Sequence, residues 1–170
     1  MLFGGATDIA NTAVGREVMI AWNGTEFVEK TPAARPPARF GAGMVWDANR
    51  EEIVLFGGRD QDTVYGDTWT WNGTEWTEKN PSTSPPARWY HGMAYDTARG
   101  LVVINGGGVG SQITDTTWIW DGVDWLELDP ATVPDGRFQQ RLAYVAVRVG
   151  LVMFGGRRAS TFLVETWVWN

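Results

Sequence analysis

The chain has 170 residues, 44% of them hydrophobic, which is enough for a folded core. It contains no cysteine, so disulfides and thiolate metal sites are excluded. A net charge of −6 argues against a phosphate-backbone partner, and the apolar runs are too short to insert in a membrane, so neither nucleic acid nor a bilayer is expected as partner.

The N-terminal Met1-Leu2-Phe3 reads as a short strand closed by Gly4-Gly5. With no charged leader and no long apolar run, it is not a signal peptide. Trp22, Asn23-Gly24 and Phe27 follow, and then the proline-rich Pro36-Pro37-Ala38-Arg39. From Arg39 a second unit begins, with the apolar run Ile53-Val54-Leu55-Phe56, the pair Gly57-Gly58, the alternating Thr68-Trp69-Thr70-Trp71, Asn72-Gly73 and Trp76. A third unit starts at Arg88 and carries Leu101–Asn105, Gly106-Gly107, Thr117-Trp118-Ile119-Trp120, Asp121-Gly122 and Trp125. A fourth starts at Arg137 and carries Gly155-Gly156, Trp167 and Trp169.

These units share one register. Trp22, Trp71, Trp120 and Trp169 lie 49 residues apart, as do Arg39, Arg88 and Arg137 and the Gly-Gly pairs. A fixed period near 50 residues is the signature of a repeat architecture. Each complete unit reads as four strands, A to D from the axis outward. Strand B is apolar throughout, as for a strand buried on both faces, and strand C alternates with period two. The Asn-Gly and Asp-Gly pairs predict two-residue C–D hairpins with positive φ at both central positions. Proline ends strand D and stiffens the D–A crossover. Four strands in up-and-down order form the blade of a β-propeller, so the fold is all-β, a partial propeller of four-stranded antiparallel blades. The units are about 1–38 (strands B to D), 39–87, 88–136 and 137–170 (strands A to C), roughly three and a half blades against the usual 4 to 8 or so. The chain therefore reads as a fragment of a longer propeller. The alternatives are an open solenoid and self-association through the open blade edges.

Three segments carry a family resemblance: Ile53-Val54-Leu55-Phe56-Gly57-Gly58, Gly66-Asp67-Thr68-Trp69-Thr70-Trp71-Asn72-Gly73-Thr74-Glu75-Trp76, and Pro85-Pro86-Ala87-Arg88-Trp89-Tyr90-His91-Gly92-Met93-Ala94-Tyr95-Asp96. They resemble the kelch motif, and more narrowly the tandem kelch repeats of bacterial secreted and cell-surface proteins. The resemblance spans essentially the whole chain. It implies a propeller used as a binding scaffold, and an extracellular or cell-surface location. The units are not identical. The first has four extra residues between its glycine pair and Trp22, Asn105 replaces Phe56 and Phe154, and Val145 replaces Asp47 and Asp96.

Most candidate chemistry dissolves into the repeat. Tryptophan faces stack on sugars, but all eleven occupy strand positions of the repeat and read as inter-blade packing. Arg39, Arg88 and Arg137 suit either a ring of positive charge about the axis or a repeated structural pairing with a carboxylate or loop carbonyls, and the second is favoured. His91, the one histidine, cannot build a multi-histidine metal site. Asp60 and Asp62 are spaced like part of a calcium loop without its remaining ligands, so no metal or cofactor is expected. With one histidine, a Ser/His/Asp triad is also not expected. The copper radical oxidases among kelch propellers use a cysteine-linked tyrosine, which this chain cannot form.

The expected function is a non-catalytic scaffold for a protein or glycan partner, carried on the B–C and D–A loops, which share one face of a meander. The long, variable loops are Thr7–Asn11, Arg59–Tyr65, Val109–Thr114 and Arg157–Thr161. The expected contact residues are Arg35, Arg59, Asp60, Asp62, Tyr65, Gln112, Arg157 and Arg158. The alternatives are part of a sugar isomerase- or lyase-like kelch enzyme with its catalytic residues elsewhere, and a structural or adhesive surface repeat.

Overall fold

Threonine and tryptophan alternating along a strand give it one face for each neighbouring sheet, and that pattern recurs in sheets stacked side by side. A computed structural model describes residues 1–5, 16–148 and 150–169. The predicted loop Thr7–Asn11 and the predicted turn residue Asn170 lie outside them. The first sheet comprises β1 (Leu2–Phe3), β2 (Met19–Trp22) and β3 (Phe27–Lys30). The second comprises β4 (Gly43–Asp47), β5 (Glu52–Phe56), β6 (Thr68–Trp71) and β7 (Trp76–Lys79). In the third, β8 (Gly92–Asp96) and β9 (Leu101–Asn105) are followed by the small hairpin β10 (Gly108–Val109) and β11 (Gln112–Ile113), then by β12 (Thr117–Trp120) and β13 (Trp125–Leu128). The fourth has β14 (Arg141–Val145), β15 (Gly150–Phe154), the hairpin β16 (Arg157–Arg158) and β17 (Thr161–Phe162), and β18 (Thr166–Trp169). Every main sheet is an antiparallel meander in chain order, as the repeat predicts, and β4, β8 and β14 lie side by side as the inner strands.

Two local expectations are corrected. The B–C connections of the third and fourth blades are not plain loops, because β10–β11 and β16–β17 fold them into two-residue hairpins. The C–D turns are not two-residue hairpins either. Trp71 pairs with Trp76 and Trp120 with Trp125, which leaves four residues in each loop. Only the glycine takes a positive φ, for example 103° at Gly73. The Asn72 side chain accepts the amides of Thr74 and Glu75, and Asp121 accepts those of Val123 and Asp124, so a side-chain cap replaces the tight turn.

The blades are joined by indoles. Trp76 of β7 donates Nε1 to Met19 Sδ in the first sheet at 3.3 Å, and Trp125 of β13 donates to Thr68 Oγ1 in the second at 2.9 Å. Both contacts span 57 residues, so the outer tryptophan of each blade is seated in the blade before it. Around Trp125 lie Val54, Phe56, Tyr95, Val102 and Ile104. Not every tryptophan packs this way. Trp22, in the first sheet with no earlier sheet against it among the described residues, is 54% exposed, and Trp46 on β4 is 51% exposed.

This seating predicts a position-dependent cost. Trp125→Ala should destabilise by about 3–5 kcal/mol. Phe27→Ala, at the same repeat position but largely exposed, should cost only about 0.5 kcal/mol. Urea unfolding of both variants measures the contrast, and equal losses would show that the socket contributes little.

Candidate binding face

The residue after each crossover arginine, just ahead of the inner strand, is bridged to the B–C connection of the same blade, Phe40 to Arg59, Trp89 to Gly108 and Phe138 to Arg157. This places the D–A crossovers and the B–C hairpins together. The latch beneath them is a buried arginine. Arg39, Arg88 and Arg137 have essentially no contact with solvent. Each donates Nε to the carbonyl two residues back, at 3.0 Å to Pro37, 3.1 Å to Pro86 and 2.9 Å to Asp135. Each also donates Nη1 to the first glycine of its blade's pair, at 2.9 Å to Gly57 and 3.2 Å to Gly106 and Gly155. The guanidinia thus face the main chain of their own blades and do not form a ring about the axis.

The last contact of the latch differs among blades. Asp67 grips Arg39 with both oxygens, at 2.6 and 2.7 Å, and Glu165 pairs with Arg137 at 2.9 Å. Arg88 meets only the Thr116 hydroxyl, at 3.1 Å, and has no ion pair among the described residues. Burial pulls its pKa down to about 10, partly opposed by the charge of Glu127. The glycine pairs fit the latch from the other side. Gly57 has φ 65°, and a Cβ there would sit 2.5 Å from the carbonyl oxygen of Arg88 in the next blade, the oxygen that accepts the Gly58 amide at 2.8 Å.

Above the latch, aromatic rings run from blade to blade. Phe40 lies 6.2 Å from Tyr90, Tyr90 4.9 Å from Trp89, and Trp89 6.1 Å from Phe138. Arg59 stacks over Trp89 at 5.0 Å and Arg157 over Phe138 at 5.3 Å. Tyr90 holds φ 54° where the second blade has Gly41 at 67°. Such a conformation in a bulky residue costs on the order of 1 kcal/mol or more and is kept where the surroundings impose it.

The predicted contact residues divide into two groups. Arg59 and Arg157 stack in this row and donate to loop carbonyls, Arg59 to Asp60 and Gln61 and Arg157 to Ala159. Asp60 organises its own loop by accepting the amides of Asp62 and Thr63 and the hydroxyl of Tyr65. Burial works against the ionised Asp60, but the Thr63, Tyr65 and Asp62 hydrogen bonds outweigh it and hold its pKa below the usual value. The calcium-like spacing of Asp60 and Asp62 is therefore occupied by a turn. Tyr65 also lies 4.1 Å over the Arg39 guanidinium. Asp62 and Gln112 are exposed. Arg35 pairs with Glu17 at 3.0 Å and Arg158 with Asp135 at 3.3 Å, both in water, where such pairs add little stability. The row Phe40, Trp89 and Phe138 was missed as a site, although its 49-residue spacing is visible in the sequence.

His91 is buried, with its ring 5.6 Å from Phe56, and neither ring nitrogen has a partner among the described residues. Burial first, and the Arg88 charge second, lower its pKa to about 3. It is a neutral packing residue, not a metal ligand geometry.

The stacked blades, the arginine latch and the glycine pair recur together in one pattern. A family model described as the KLHDC2/KLHL20/DRC7 Kelch-repeats domain matches residues 1–170. The chain belongs to the kelch-repeat family. No curated protein matches it. Kelch repeats generally serve as protein-binding scaffolds, and in this kelch chain the loop face is the part that varies between otherwise equivalent blades.

Two measurements check the interior of the site. Asp67→Asn strips the carboxylate from buried Arg39 and should cost toward the lower end of about 3–5 kcal/mol, since Asp67 keeps some contact with water. His91 is neutral when folded, with a pKa below the 6.5 of the free side chain, so protonation favours unfolding. Its contribution is complete above pH 6.5 and is lost as pH falls from 6.5 toward about 3, with a slope of about 1.4 kcal/mol per pH unit. His91→Gln, which installs the residue found at position 140, should remove that slope in pH-dependent urea unfolding.

Proposed function

We propose that this kelch domain is a non-catalytic scaffold that binds a protein partner on the face built by its B–C hairpins and D–A crossovers. The observation that carries the reading is the aromatic and arginine row. Phe40, Tyr90, Trp89 and Phe138 cross three blades half-buried, with Arg59 and Arg157 stacked on them. Aromatic residues and arginine are the side chains most enriched where proteins bind one another. The left-handed Tyr90 supports the same reading, because a glycine would relieve the backbone there and an aromatic ring is present instead. Exposed Asp62, Gln112 and Arg158 on the B–C connections and Arg35 in a D–A crossover would supply a polar rim to such an interface. The resemblance to surface kelch proteins supports an extracellular or cell-surface setting for the interaction.

A random peptide library selected on the immobilised domain tests this. Selected peptides should lose about tenfold or more in affinity for Trp89→Ala combined with Arg158→Gln. They should bind the Val123→Ser variant, altered in an exposed C–D turn, like the parent. Peptides indifferent to the first pair of changes would place recognition elsewhere.

A further inference from the structure

Two of the blade-to-blade contacts inside the chain are built from the same pair of faces. The forward face of the earlier blade ends strand B on a phenylalanine, and that ring meets the outer aromatic of the next blade. Phe3 lies 5.6 Å from Trp76, and Phe56 5.0 Å from Trp125. The outer aromatic also packs on the tryptophan that ends strand C of its own blade, Trp71 on Trp76 at 5.6 Å and Trp120 on Trp125 at 5.4 Å. Each half of this contact recurs once more, facing solvent. In the first sheet Trp22 and Phe27 form the same pair at 5.1 Å, yet Phe27 is 64% exposed. In the fourth sheet Phe154 ends β15 as Phe56 ends β5, and it is 56% exposed. Both surroundings are apolar. Leu2 pairs with Ile20, on the face of β2 that carries Trp22, and Val152 pairs with Val168 on the face of β15 that carries Phe154.

Clusters of exposed aromatic and aliphatic side chains mark association surfaces. We propose that the forward face of the fourth sheet binds the backward face of the first sheet in a second copy of this chain, head to tail. Phe154 of one copy meets Phe27 of the other as Phe56 meets Trp125, so the contact continues the packing already present between blades. The inner strands indicate which occupant fits. Gly43 and Gly92 open β4 and β8, and a Cβ at either would collide with the next blade, at His91 and Met93 or at Leu142. The same position opens β14 as Arg141, which is exposed. That side chain holds off a blade with its own inner strand. The first sheet runs β1-β2-β3 and has no inner strand among the described residues, so it sets no strand against Arg141. The two faces differ, so the contact is heterologous and can repeat from copy to copy. It uses none of the aromatic row on the loop face and stands whether or not that face binds a partner.

Sedimentation velocity of the 170-residue chain from about 1 to 100 μM tests this, a range that spans weak to moderate contacts. The parent should pass from the mass of one chain to multiples of it. Phe27→Glu and Phe154→Glu should each weaken association by about tenfold or more. Both sites are exposed, so urea unfolding of the dilute, dissociated variants should match the parent. Leu126→Glu, at an exposed leucine of β13 away from both faces, should associate like the parent. Mixing Phe27→Glu with Phe154→Glu should restore a two-chain species, because each variant keeps the face that the other has lost. A parent that stays single at the highest concentration would overturn the proposal. So would face variants that associate like the parent, a leucine variant as impaired as they are, or a mixture that remains monomeric.

Discussion

A guanidinium shut away from water has to find acceptors, and the geometry of this chain follows from where Arg39, Arg88 and Arg137 find them. Each reaches the crossover behind it, the glycine pair at the end of strand B and the first residues before strand C. Three stretches distant in sequence are thereby fixed to one planar group. The carbonyl of the same arginine accepts the second glycine of the preceding blade, Gly58 to Arg88 and Gly107 to Arg137 at 2.8 Å. One residue therefore organises its own blade through its side chain and its neighbour through its backbone. The left-handed glycines are a requirement of that contact, since a side chain would collide with the arginine carbonyl.

The indole sockets form a second set of contacts between blades. Trp76 and Trp125 bury their rings in the preceding sheet and end on a polar or polarisable atom there. Arginine latches and indole sockets together distribute cohesion along the stack, so that each blade depends on contacts with the adjacent ones, as in other repeat proteins. Within this regular frame the loop face is where regularity breaks. Tyr90 is strained where Gly41 is not, Thr116 stands where Asp67 and Glu165 stand, and Gly108 occupies the place of Arg59 and Arg157.

Periodicity made the blades, their strand order and the inter-blade tryptophans legible before any coordinates, because all of these depend on positions that recur. What it hid were features carried by side-chain conformation. The C–D turn looked like a two-residue hairpin, since Asn-Gly favours one. The Asn72 carboxamide instead caps two amides and lengthens the loop to four residues. The β10–β11 and β16–β17 hairpins are too short for any alternating pattern to announce. Trp89 read as one more packing tryptophan. Its stacking under Arg59 depends on a bridge between crossover and hairpin that no local pattern encodes. Arg59, Asp60 and Arg157 were singled out as contact residues, but their polar groups are turned largely onto their own connections, and Arg157 lies in the short strand β16.

The arginine latch takes two of its three anchors from main-chain oxygens, and carbonyls are supplied by any amino acid. The hairpin it braces can therefore change its side chains, and even its length, while the brace keeps its grip. Thr114 and Thr116 in place of Tyr65 and Asp67 illustrate this, since the third blade keeps its arginine, its glycine pair and its strand order despite losing both partners. The scaffold thus separates what must be inherited unchanged from what can be rewritten, and a lineage of such domains can exchange ligands by editing a few hairpin residues without having to solve the folding problem again.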